Sequence, residues 1–178
     1  METQNGLVIV HTGNGKGKTT AAIGLAIRAW GDGFRVLILQ FIKGNLQYGE
    51  IKTIETLREV DGRIELRRLG KGFQRNLKDK TEHIKACREA LQIAREALES
   101  NKYDMIILDE INYAVKFDLI NLDDVKELLH HRPDNVHVVL TGREARQEIM
   151  DLADLVTEMK LIKHPYQKGI KAQKGIEF

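Results

Sequence analysis

The run Thr12-Gly13-Asn14-Gly15-Lys16-Gly17-Lys18-Thr19-Thr20 combines what an anion site requires: glycines, lysines and hydroxyls in close succession. Glycines let successive backbone N–H groups turn toward one anion, and a helix beginning behind them adds the positive end of its dipole. In this pattern Lys18 contributes a full charge to a phosphate and Thr19 a hydroxyl to Mg²⁺. The usual spacing is G-x-x-x-x-G-K-[ST]; counting back from Gly17 puts Thr12 at its first position, and the first glycine arrives one residue late, at Gly13. The chemistry these residues offer is the binding of a nucleoside triphosphate.

A second group complements the first. The apolar run that ends at Leu108 is followed by Asp109-Glu110, and an acidic pair at a strand end downstream of a phosphate loop is where a carboxylate holds Mg²⁺ directly or through water. The sequence contains no constellation of serine, cysteine or histidine with a partner base. His130 and His131 stand together at a helix end, where complementing the helix dipole accounts for them better than a metal does. Cys87 belongs to the series Ile84, Cys87, Leu91, Ala94, Leu98, which draws one apolar stripe along a helix and makes it a core thiol.

These groups must be positioned by elements that alternate between strand and helix. Short β-rich runs are expected at 7–11, 35–41, 63–69, 103–108, 135–140 and 155–161, with helices at 21–30, 51–59, 81–100, from about 121 to 132, and 145–153. Gly31-Asp32-Gly33 supplies the glycine that favours a helix end, and Pro133 disfavours helix in Arg132 before it. The rhythm predicts an α/β fold, a mostly parallel sheet covered on both faces. In such a sheet the loops after strands one to five leave from one edge and face one crevice. Their extent exceeds what a triphosphate needs, so a second and larger substrate is expected beside the nucleotide.

With 178 residues, 42% apolar and 30% charged, the chain fits one domain, 1–178, with one core. A net charge of +2 does not imply a nucleic-acid partner, and the five lysines from Lys160 to Lys174 have few aromatics near them to stack bases. The apolar runs are too short for a membrane span, and the start, with Glu2 and Gly6, lacks the long apolar region of a secretory signal. One cysteine cannot form an internal disulfide, which fits a cytoplasmic location.

Several motifs occur together in order: residues 13–20, Gln40-Phe41-Ile42-Lys43-Gly44 with Gly49-Glu50, Gly72-Phe73, Leu108-Asp109-Glu110, Thr141-Gly142-Arg143 and Lys171-Ala172-Gln173-Lys174-Gly175-Ile176. In this set the chain resembles the P-loop type of ATP:corrinoid adenosyltransferase of cobalamin biosynthesis and salvage, over residues 7–178. The resemblance implies a three-layer, RecA-like P-loop NTPase fold, commonly a homodimer, that moves the 5′-deoxyadenosyl group of ATP onto a reduced corrinoid. It further implies reversed polarity of ATP in the loop, release of tripolyphosphate, and an electron-donating reductase as partner. Reduced cobalt(I) would itself attack the ribose C5′ carbon, which accounts for the missing protein nucleophile.

By the same resemblance, residues 12–20 bind ATP, with Asn14 and Lys16 on phosphate and Arg28 reaching the nucleotide. Lys18, Thr19 and Glu110 carry catalysis, and Thr19, Glu110 and a supporting Asp109 hold Mg²⁺. Phe73 is expected at the corrinoid, where the family places a second aromatic, a tryptophan, two residues on; here that position is Arg75. Arginine cannot ligate cobalt, but it tolerates nearby water as tryptophan does not. Two other readings share the same loop and acidic pair. One is an ATPase in which Glu110 orients a water; the other is a nucleotide-gated binding module. The products separate the three.

Overall fold

The computed structural model describes residues 5–44, 48–72 and 80–178. Six strands form one sheet in the order β3-β2-β4-β5-β1-β6, and every pairing is parallel. They are β1 (Val8–Thr12), β2 (Val36–Gln40), β3 (Ile64–Arg68), β4 (Met105–Asp109), β5 (His137–Thr141) and β6 (Leu155–Glu158). The four central strands are buried along their whole length, as near-continuous aliphatic runs such as Val36-Leu37-Ile38-Leu39 require when both faces are covered.

Alternate side chains sort into two cores. Val8, Val10, Leu37, Leu39, Ile106, Leu108, Val138 and Leu140 pack under α3 (Thr81–Glu99), α4 (Ile111–Lys116), α5 (Leu122–His130) and α6 (Gln147–Asp151). Ile9, Val36, Ile38, Ile64, Met105, Ile107 and Val139 meet α1 (Lys18–Gly31) and α2 (Gly49–Asp61) on the other face. This is the three-layer α/β arrangement expected from the sequence. On α3 the stripe of Cys87, Leu91, Ala94 and Leu98 is buried, with Ile84 partly so. Burial pushes the Cys87 thiol up to about 12, as befits a core group.

Three local differences from the sequence reading matter. α1 begins at Lys18, three residues before the expected Ala21, so Lys18, Thr19 and Thr20 form its first turn. The short α4 was not expected, because six residues are too few to show a helical period. It forms because Glu110 turns into the left-handed region at φ 64°, its carbonyl accepts from Tyr113 and Ala114, and Ile111, Ala114 and Val115 enter the core. β6 stops at Glu158, short of 161, and is exposed throughout at the edge of the sheet. Among the described residues no helix is long and apolar enough to cross a membrane.

Candidate nucleotide and metal site

Register brings the polar residues together. Gln40 stands opposite Asp109, Leu108 opposite Leu140, and His11 opposite Thr141, so the C-terminal ends of β2, β4, β5 and β1 finish side by side. The loop 13–17 leaves from that edge and turns into α1. Its glycines are required by close approach: a Cβ at Gly13 or Gly15 would stand 2.6 Å from the Met159 carbonyl, and Gly17 caps α1 at φ 117°. The Gly15 N–H donates to that Met159 carbonyl at 2.6 Å.

Lys18 is 7% exposed, and its ammonium donates to the carbonyls of Gly13 (2.8 Å) and Gly15 (2.7 Å). Burial lowers its pKa; Glu110 raises it and Arg143 lowers it further. Thr19 Oγ1 donates to Asp109 Oδ1 at 2.8 Å, joining residues 90 positions apart. Asp109, 1% exposed, also accepts from Thr141 Oγ1 (2.8 Å) and, at Oδ2, from the Gln40 amide (3.1 Å). The Glu110 N–H donates to Thr141 Oγ1 at 2.9 Å, so the left-handed turn is fastened to the same cluster.

The two adjacent acids thus differ. Asp109 is buried and held by hydroxyls and an amide, whereas the Glu110 carboxylate opens on the cleft and, among the described residues, takes part in no hydrogen bond. Burial, and then the neighbouring Asp109, push the Glu110 carboxyl up to about 7, against the pull of Lys43, Lys18 and Arg143.

The cleft has a volume of about 570 Å³ and is lined by residues 14–20, with Glu110 beside them. Thr12 and Gly13 lie behind this surface: the Thr12 hydroxyl accepts from the Ala145 N–H at 3.0 Å and ties β1 to the segment before α6. Arg28 is exposed in the last turn of α1 and does not line the cleft; ten residues of helix, roughly 15 Å, separate it from Lys18. Phe73 and Arg75 fall outside the described residues. The backbone leading to them is in place, since Gly72 N–H donates to the Ile42 carbonyl at 2.9 Å and Gly44 packs against Gly72 too closely for a side chain.

Several cleft residues had no assigned role in the sequence reading. Lys43, Tyr48 and Glu50 come from the loop after β2 and the start of α2, and Arg143 from the loop after β5. The segment beyond β6 contributes His164 and residues 175–178, with Glu177 paired to Lys16 at 3.4 Å. The available signal was topological: parallel strands send these loops to one edge, although the pattern does not say which side chain enters the cleft.

Comparisons with known proteins bear on the family and the fold. Residues 4–178 match the model of the family described as ATP:corrinoid adenosyltransferase BtuR/CobO/CobP. A corrinoid adenosyltransferase of Escherichia coli strain K12 is 41% identical over 99% of this chain and 88% of its own. The corrinoid adenosyltransferase CobA of Salmonella typhimurium is 40% identical over 99% and 88%. Among solved structures, the flagellar accessory protein FlaH of Methanocaldococcus jannaschii superposes with a TM-score of 0.60 at 13% identity, covering 87% of this chain and 71% of that one. A KaiC-like protein of Pyrococcus horikoshii gives 0.54 at 17% identity, over 90% and 75%. At such identities these two structures bear on the fold alone.

Proposed function

Since the chain belongs to the ATP:corrinoid adenosyltransferases and transfers the adenosyl group of ATP to a corrinoid, we propose that the triphosphate lies on residues 14–20 and leaves as tripolyphosphate. The observation that carries this reading is the joining of Thr19 to Asp109 at 2.8 Å with the Glu110 carboxylate open beside them. In the proposed step a reduced cobalt(I) centre supplies the electron pair for a new bond to C5′. The C5′–O bond breaks, and its electron pair departs on the tripolyphosphate. No protein base is needed.

The residues fit Mg²⁺. The Thr19 hydroxyl donates its hydrogen bond to Asp109, which leaves the lone pairs of Oγ1 for a cation, and Glu110 faces the same cleft. Among the described residues no group of three or more acids, histidines or cysteines forms a closed cage. An open set suits an ion that takes further ligands from phosphate and water. When bound, Mg²⁺ neutralises charge on the triphosphate. Lys16, Lys18 and Arg143 add fixed positive charge along the path of the leaving group, and Asp109 keeps Thr19 oriented.

The test is the product. With ATP, Mg²⁺ and a chemically reduced corrinoid, the protein should release one tripolyphosphate for each adenosylated corrinoid. ADP with phosphate would overturn the reading in favour of hydrolysis, for which a carboxyl held near 7 at Glu110 would also be suited as base.

The proposal includes Phe73 and Arg75, which follow Gly72 in the chain, at the lower face of the corrinoid. Phe73→Ala should leave ATP affinity nearly intact and lower the four-coordinate cobalt(II) fraction in electron paramagnetic resonance, while Arg75→Trp should raise it. Unchanged spectra in Phe73→Ala would remove the loop from that role. A homodimer, an electron-donating reductase and a cytoplasmic setting complete the proposal; sedimentation at working concentration tests the first.

A further inference from the structure

Lys43 has no part in the mechanism above, yet it occupies a singular position. Its ammonium stands 3.4 Å from Asp109 Oδ2 and 3.1 Å from Glu50 Oε1, and 4.5 Å from the centre of the Tyr48 ring. Its side chain is 13% exposed. Burial alone would lower its pKa, but the carboxylates of Asp109 and Glu50 hold it above the ordinary lysine value.

Counting partners shows what the ammonium does. Asp109 Oδ1 takes the hydroxyls of Thr19 and Thr141, and Oδ2 takes the Gln40 amide and faces Lys43. A carboxylate offers about four lone-pair positions. Hydrogen bonds take three of them, and the Lys43 ammonium faces Oδ2 as an ion pair at 3.4 Å.

We infer that Lys43 is the resident cation of Asp109, a positioning residue that reserves this carboxylate for Thr19 and leaves Glu110 as the acid that meets the divalent ion. The inference rests on the metal reading proposed above. Without a fixed positive charge, adjacent Asp109 and Glu110 would together attract a divalent ion, and an ion drawn onto Asp109 would compete with the Thr19 hydroxyl for its oxygens. The same ammonium meets Glu50 and Tyr48, so the start of α2 is tied to the carboxylate that orients Thr19.

The test uses Lys43→Met and Lys43→Arg in the full chain, with Mn²⁺ as the probe. Binding of Mn²⁺ alone, without nucleotide, is read by electron paramagnetic resonance, and adenosyl transfer is measured separately. Lys43→Met should bind Mn²⁺ about tenfold more tightly, the effect of removing an opposite charge within about 4 Å of a carboxylate. Its adenosyl transfer should fall about tenfold or more. Lys43→Arg should keep both near the wild-type values. Opposite signs distinguish this role from a structural one, which would weaken both. If Lys43→Met does not fold, Lys43→Gln carries the same expectation. Mn²⁺ affinity that is unchanged or weaker in a folded neutral variant overturns the inference. Glu110→Gln tests the premise by itself: binding of Mn²⁺ with ATP that does not weaken there overturns the metal reading, whatever Lys43 does.

Discussion

The cleft has two walls of different construction. One rests on the strand ends and the first turn of α1: Lys18 faces the cleft, and behind it Gln40, Asp109 and Thr141 are buried and bonded to one another or to Thr19. The other is made by the segment after β6, where the strand is exposed from end to end and Lys16 meets Glu177 at 3.4 Å, with nearly half of the lysine side chain in solvent. Hydrogen bonds made away from water are strong, so the cluster holds a single geometry even though Gln40 Oε1 takes no partner among the described residues. An exposed ion pair is screened and contributes little, so it yields readily to a competing ligand. The first wall is built to hold charge in fixed places, the second to give way to it.

Three substitutions sharpen or break this contrast. The largest effect is expected at Lys18, whose charge-assisted contacts with phosphate are worth on the order of 1.5–3 kcal/mol. Because Lys18 also fastens the carbonyls of Gly13 and Gly15, Lys18→Ala should lower kcat/KM for ATP by about a hundredfold or more. Near wild-type kinetics would show that the buried wall does not bind phosphate.

Glu110→Gln should have an intermediate effect, with a signature in pH. A carboxyl raised from 4.5 to about 7 holds its proton more tightly folded than unfolded. It therefore contributes stability below pH 4.5, and that contribution is lost as pH rises through about 7. Melting temperatures without Mg²⁺ or nucleotide should coincide for wild type and variant near pH 4.5, and the variant should be the more stable at pH 8. The variant should also need more Mg²⁺ for transfer, since an amide is a poorer ligand for a hard cation. Parallel melting curves across this range would place Glu110 in a less strained setting than the cleft suggests.

The smallest change belongs to the exposed wall. Glu177→Gln frees Lys16 for phosphate, so ATP should bind about two- to threefold more tightly by calorimetry, with no measurable change in melting temperature. Weaker binding would mean that this wall, too, holds its lysine for the nucleotide.

The parts of the molecule legible in the sequence are those governed by local rules. Glycine spacing marked the tight loop before α1, uninterrupted aliphatic runs marked buried parallel strands, and the three-and-four spacing around Cys87 marked the buried stripe of α3. Strand alternation with helices placed the loops after the strands at one edge, and the position of Asp109-Glu110 at the end of β4 put the acids beside the glycine loop. Other features had no local signature. The division of labour between Asp109 and Glu110 depends on register, because only the pairing of β4 with β2 and β5 surrounds Asp109 with Gln40 and Thr141.

Tertiary structure also decided the reach of the loop residues. Thr12 turned inward to Ala145 because β1 ends against the segment before α6, and Arg28 lies away from the cleft because ten residues of helix separate it from Lys18. Lys43 and Arg143 became cleft residues through the stacking of strand ends that lie far apart in sequence. Periodicity and composition describe what a segment buries, and so they determine elements and their faces. Which charges meet is set by long-range register and crossing, where a displacement of one residue exchanges the side chains that face each other.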